Sequence, residues 1–245
     1  MMKISVVSYL NTLPFIYGLD LFPTLEEIDL YLSSPVVCAK RLIDKDVDIG
    51  LIPIVSIDKV TDANIISDYC IGSDGDVDTV CLYSDVPISD VSTILLDHQS
   101  HTSIEFLKVL LREYWHISPN LVNSQEGFEN HISGKIAGLA IGDKAFSLNN
   151  RFPYIYDLSY IWKELTGLPF VFAVWASNKS LPDDFIKIFN MALDYGIHNI
   201  KQVVKENTTF LSNHNLYNYL TNRISYDLDE KKKDAMNLFL SKIKA

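Results

Sequence analysis

Ser8-Tyr9-Leu10-Asn11-Thr12 places two hydroxyls, a phenol and a primary amide within five residues. Groups of this kind hydrogen-bond an anion or a polar reacting centre without adding charge of their own. Ser100-His101-Thr102-Ser103 is a second such cluster, three hydroxyls around an imidazole. Thr79, at the start of a strand, offers a further hydroxyl. The chemistry expected of these groups is the grip of a small anion by hydroxyls and by the free N–H groups of helix starts.

The elements that must position them can be read from apolar spacing. Lys3-Ile4-Ser5-Val6-Val7 reads as a strand. Phe15-Ile16-Tyr17-Gly18-Leu19 follows at helical spacing, with Asn11 as the expected N-cap and Pro14 in the first turn. The plain alternative is a strand-to-helix turn in which Asn11 only caps. Ile28 to Leu32 is a second strand, and Ser34-Pro35 caps the helix that follows it. Asp48 to Pro53 is a third, so the chain opens β-α-β-α-β, the pattern of a parallel sheet with right-handed crossovers. In such sheets ligands collect beyond the carboxyl ends of the strands.

Thr79 opens a strand to Ser84 and either presents its hydroxyl to a ligand or is an ordinary strand threonine. A second series begins after Asp85-Val86-Pro87: Thr93 to Asp97 is a strand, and Thr102-x-x-Glu105 has the spacing of a capping box at the next helix. Capping alone also accounts for those hydroxyls. Ile136 to Gly142 is a buried strand with Asp143-Lys144 at a helix start, and Phe170 onward is a long apolar strand returning to the first series. Pro182 to Ile200 is an amphipathic helix. The expected architecture is α/β in two domains, 1–84 with 176–245 and an inserted 85–175, with a ligand cleft between them.

Bulk properties narrow the class. The formal charge of −10 over 245 residues and the absence of a basic stripe argue against nucleic acid. Lys231-Lys232-Lys233 is the one basic run and reads as a solvated helix face. No apolar run approaches the roughly eighteen residues of a membrane span, and no secretory leader is recognised. Cys38, Cys70 and Cys81 lack metal spacing, read as half-buried structural thiols, and suit a reducing cytoplasm. No dinucleotide fingerprint, P-loop, zinc motif or nucleophile elbow is present, so neither cofactor nor metal is expected. With four arginines in the chain, an anion would be held by hydroxyls and helix starts. The residues by themselves describe a two-domain binder of a small anion, of undetermined oligomeric state.

Several stretches resemble the chorismate dehydratase family of the futalosine route to menaquinone, which has a type II periplasmic-binding-protein fold. They are Ser8 to Pro14, Asp48 to Pro53, Ser100 to Ser103, Ala140 to Ala145, and the most specific, Trp162-Lys163-Glu164-Leu165-Thr166-Gly167-Leu168-Pro169-Phe170-Val171-Phe172-Ala173-Val174-Trp175. The sequence departs from the family pattern twice, with His101 where Arg is usual and Thr79 where Ser is common.

The resemblance implies a lyase that removes water from chorismate, a dianion, to give 3-[(1-carboxyvinyl)oxy]benzoate. It implies Asn11 and Thr79 at the reacting centre, and Ser8, Tyr9, Thr12, Ser34, Ser100, His101, Thr102, Ser103, Gly142 and Asp143 around the substrate. No side chain stands out as the C–H base. Two other readings share the fold. One is the sister enzyme that opens a cyclic futalosine, whose Cys-Pro-Asn-Asp-type opening does not match Ser8 to Asn11. The other is a non-catalytic binder or sensor of a small anion.

Overall fold

The computed structural model describes residues 2–21, 28–97, 101–207 and 211–244, with the backbone alone at 213 and 214. The chain begins with strand β1 (Met2–Val7), a single 3-10 turn (Leu10–Thr12) and helix α1 (Leu13–Leu21). β2 (Ile28–Ser33), α2 (Pro35–Ile43), β3 (Ile49–Pro53) and the long β4 (Asn64–Ser73) follow. Next come β5 (Val80–Ser84), β6 (Thr93–Asp97), α3 (His101–Leu110), β7 (Asn120–Ser124), β8 (Ile136–Ile141), β9 (Tyr154–Asp157) and α4 (Leu158–Thr166). The last run is β10 (Phe170–Ser177), α5 (Asp183–His198), α6 (Ile200–Glu206), α7 (Asn213–Asn218), β11 (Ser225–Asp227) and α8 (Glu230–Lys244). The expected β-α-β-α-β opening is present, and the strand read at Thr93 to Asp97 has those bounds. Among the described residues no helix is long and apolar enough to cross a membrane.

The chain forms two compact α/β units, residues 1–72 with 171–233 and residues 73–170 with 234–245. The division therefore lies upstream of the expected 84/85 and 175/176 boundaries, and the end of the chain changes unit. The reason is pairing: β5 lies between β8 and β9 in the second sheet, while β10 runs antiparallel to β3 in the first. Phe239 of α8 packs edge-on against Phe106, Trp162 and Phe170, an aromatic cluster of the second unit.

The first unit carries a sheet of order β11-β4-β10-β3-β1-β2. β1 is parallel to both β2 and β3, so the three end at the same edge. β3 is buried along its whole length, as expected of a central parallel strand. α1 and α5 cross with almost no space between their backbones. A Cβ built on Gly18 would stand 1.9 Å from Ala192 O, and one on Gly196 would stand 1.7 Å from Pro14 O. The expected solvated lysine face is corrected at one position. Lys232 is 2% exposed, and its ammonium donates to Ser225 Oγ at 2.7 Å and to Asp227 O, tying α8 to β11.

The second unit has the order β7-β6-β8-β5-β9. β6 is parallel to β7 and β8, whereas β5 is antiparallel to both its neighbours. The start of β5 therefore lies beside the ends of β8 and β9.

Candidate functional site

In the first unit the candidate residues gather at the carboxyl end of β1 and β2. Ser8 follows β1, is exposed, and donates its N–H to Ser33 O at 3.0 Å. That bond brings Ser8 to the start of α2, where Ser34 has N-cap backbone angles (φ −67, ψ 158) and Pro35 occupies the first helical position. Ser34 Oγ makes no capping bond, so its expected capping role is carried by backbone shape alone.

Tyr9, not Asn11, is the residue flanking the helical turn after β1, which corrects the expectation that Asn11 is the cap. Thr12 is fully buried, and its hydroxyl lies 2.6 Å from Val7 O and 2.8 Å from Tyr9 O. A hydroxyl has one proton, and here two backbone carbonyls share it. Thr12 thus closes the turn and is withdrawn from the substrate-binding set.

Asn11 lies on this turn with its main-chain O accepting a hydrogen bond from the buried Tyr226 hydroxyl at 3.0 Å. Its side-chain Oδ1 is buried and has no hydrogen-bond partner among the described residues. A buried acceptor left unbonded costs about 1–3 kcal/mol. Phe15, one helical turn on, packs edge-on against Trp175 and Tyr226 and holds the start of α1 in place.

In the second unit, strand pairing brings Thr79, Gly142 and Asp143 together. Gly142 follows β8 in left-handed backbone (φ 67), which suits a residue without Cβ, and donates its N–H to Thr79 O at 2.8 Å. Thr79 is 2% exposed, with Oγ1 3.4 Å from Val77 O. Asp143 is half-buried in the turn that follows. α3 begins at His101, so Thr102 lies within its first turn and not at the cap. Glu105 instead pairs with Lys108 at 2.8 Å, and the expected capping box is not formed. His101 is exposed while Thr102 and Ser103 are buried. Ser100 lies outside the described residues.

Two charged groups that sequence reasoning did not single out stand at this same end. Asp97, the last residue of β6, is fully buried and ion-paired with Lys144 of the turn after β8. Lys144 also lies 3.3 Å from Glu129 and 4.9 Å from the centre of the Phe128 ring. The available signal was an Asp closing an apolar strand; its partner, 47 positions on, left no mark in local spacing.

Asp157 is the other missed carboxylate. One oxygen caps α4, accepting from Ser159 N at 2.9 Å and Tyr160 N at 3.2 Å. The second accepts from Val77 N at 2.8 Å and Asp78 N at 2.7 Å. Burial pushes its carboxyl up to about 6, against the pull of the Asp78, Val77 and Tyr160 N–H groups.

The three cysteines are buried, more completely than expected, and burial lifts Cys38 to about 11 and Cys70 to about 12, so both stay thiols. Among the described residues no three His, Cys, Asp or Glu side chains are grouped to hold a metal ion. A surface groove of about 490 Å³ lies on the first unit between β4 and α5, and no candidate residue lines it. Of its lining residues, Tyr69 is bonded to Asp194 at 2.8 Å and Asn190 to Ser67 at 2.6 Å.

Known proteins give this geometry a context. The chain is 26% identical over 253 residues to a chorismate dehydratase of Thermus thermophilus, covering 94% of this chain and 91% of the relative. Among solved structures, a protein of Archaeoglobus fulgidus superposes with a TM-score of 0.77 at 13% identity, covering 99% of this chain and 96% of that one. A Candida albicans protein described as having the generic periplasmic binding protein fold gives 0.62 at 12%, over 98% and 90% of the two chains. The aliphatic sulphonate binding protein of Escherichia coli gives 0.61 at 12%, over 98% and 91%. At such identities these structures establish the fold, which is the periplasmic-binding-protein type expected from the sequence. Residues 2–245 match the family described as menaquinone biosynthesis, and the chain belongs to that family.

Proposed function

We propose that the protein is a hydro-lyase that converts chorismate to 3-[(1-carboxyvinyl)oxy]benzoate and water, supplying the aromatic precursor of menaquinone in the cytoplasm. Family membership and the named relative support the pathway and the reaction class. The observation that carries the site assignment is Asn11, whose buried Oδ1 has no partner among the described residues, at the end of a strand where ligands collect in α/β sheets.

The reaction removes the C3 proton and the C4 hydroxyl of the cyclohexadiene. The C3 proton is acidified through its vinylogous link to the ring carboxylate, and aromatisation drives the loss of the hydroxyl. In this reading Asn11 hydrogen-bonds the reacting centre and the Thr79 hydroxyl assists the leaving oxygen. Ser100, His101, Thr102 and Ser103 hold one carboxylate with the N–H groups of the α3 start, and Ser8, Tyr9, Ser34, Gly142 and Asp143 line the rest. The proton passes to the substrate's own enolpyruvyl carboxylate, whose approach the protein fixes. That route asks for positioning from the protein and no side-chain base.

Incubating the pure protein with chorismate and following the product by chromatography and mass tests the reading. A new aromatic dicarboxylate lighter by one water is expected, and its formation should survive chelation and exhaustive dialysis. Tight binding of chorismate without turnover would identify a sensor and overturn the enzyme.

A further inference from the structure

We infer that Asp157 is the positioning residue for Thr79, holding the 77–79 segment so that the Thr79 hydroxyl is presented at the end of the second sheet. The inference rests on the reading that Thr79 assists the leaving group. Asp157 is distant in sequence from that segment, but β9 pairs with β5 in a register that sets Asp157 opposite Cys81. Its carboxylate spans two tasks, one oxygen on the α4 cap and the other on the N–H groups of Val77 and Asp78.

The second task is the unusual one, because capping requires only the first. Asp78 sits in left-handed backbone (φ 63), a region that Asp enters more readily than most side chains. The bond from its N–H to Asp157 ties that turn to the start of α4. Val77, held by the same oxygen, turns its carbonyl to 3.4 Å from Thr79 Oγ1. Thr79 O in turn accepts the Gly142 N–H at 2.8 Å. A chain of contacts thus runs from the α4 start through 77–79 to the turn after β8. Ser73 and Ser159, bonded through their hydroxyls at 2.6 Å, brace the α4 start.

Asp157→Ser separates the two tasks. Serine caps helices well, but its hydroxyl is too short to reach Val77 and Asp78. The expected result is a folded protein with kcat for chorismate at least about tenfold lower and KM within about twofold, since the loss falls on a group acting in the transition state. In a Thr79→Val background the same change should cost less than about twofold, because the two residues act as one unit. An equal loss in both backgrounds, or wild-type kcat, overturns the inference.

Amide hydrogen exchange reads the device without substrate. Asp157→Ser should speed exchange at Gly142, which does not touch Asp157, at least about tenfold. An unchanged Gly142 amide also overturns the inference. Should Asp157→Ser fail to fold, Asp157→Asn keeps one acceptor oxygen for the cap and turns an NH2 donor toward the Val77 and Asp78 N–H groups, and the same readouts apply. Absence of wild-type turnover would instead remove the dehydratase reading, and the Gly142 exchange would still decide whether Asp157 sets the segment.

Discussion

The sheet end that carries Asn11 is organised by neutral groups, whereas the one that carries Thr79 is organised by buried charge. In the first unit the strand runs within a few residues into a helix, so the Thr12 hydroxyl can reach Val7 O and Tyr9 O directly. In the second unit the turn after β8 must be tied to the end of β6, and the long Lys144 side chain spans to Asp97. Similar strand-to-helix junctions are thus stabilised by different means, set by how far apart in the chain the joined segments lie. The neutral junction carries no desolvation cost for ions. The charged one depends most on Lys144, because Asp97 is fully buried while Lys144 is partly exposed and also lies beside Glu129.

The sharpest way to break this comparison is Lys144→Met, which leaves Asp97 buried without its cation. A loss of about 3–5 kcal/mol in urea unfolding is expected, larger than any single polar change at the sheet end that carries Asn11. A loss below about 1 kcal/mol would show that the charge is not what holds the second junction.

Asn11→Asp probes the neutral side. Asn11 does not cap a helix, so under the proposed function the change sets a charge beside a dianionic substrate and removes an amide donor. A folded protein with kcat down at least about a hundredfold is expected, the scale of losing a preorganised donor. Near-normal turnover would return Asn11 to a purely structural role.

His101→Arg tests whether charge at the start of α3 acts on substrate. A guanidinium keeps its charge and forks onto a carboxylate, so KM for chorismate should fall at least about threefold in the Arg variant, with kcat within about twofold. An unchanged KM would remove His101 from the carboxylate grip.

Ser34→Ala should have the smallest effect on stability. Its hydroxyl makes no capping bond, so the change should fall within about 0.5 kcal/mol, where a true cap would cost about 1 kcal/mol. A larger loss would mean that the hydroxyl caps in solution.

A pH series sharpens the view of buried charge. The Asp157 carboxyl is raised to about 6, so its contribution to stability is full below the ordinary carboxylate range and is lost as pH rises through about 6. The melting temperature of wild type relative to Asp157→Asn should therefore fall between about pH 4 and 6 and level off above that. A difference that stays constant would show that the four N–H donors hold the carboxylate ionised across that range.

What could be read in advance follows from how far each interaction reaches along the chain. β1, β2, β3 and β6 announce themselves through β-branched and apolar runs bounded by turn residues, and the structure keeps them. The parallel β-α-β opening was legible, and it is what sets Ser8 beside Ser33 at consecutive strand ends. The capping box at Thr102 was misread because Glu105 had a nearer partner in Lys108, which spacing alone does not rank. β9 and α4 escaped notice because Tyr154-Ile155-Tyr156 is short and half-exposed, with Asp157 serving as both strand end and cap. Asp97–Lys144 and Asp157–Val77 join segments far apart in sequence, and neither leaves a periodicity to detect.

The crossing of α1 and α5 has a consequence for mutational tolerance. A single methyl at Gly18 or Gly196 would collide with a main-chain oxygen that has no side-chain freedom to yield. Relief would require α1 to slide, and the start of α1 is where Asn11 is set. A survey of tolerated substitutions should therefore mark Gly18 and Gly196 as forbidding as Asn11 itself. Two residues with no functional group would then score as active-site positions, on account of the space they leave empty.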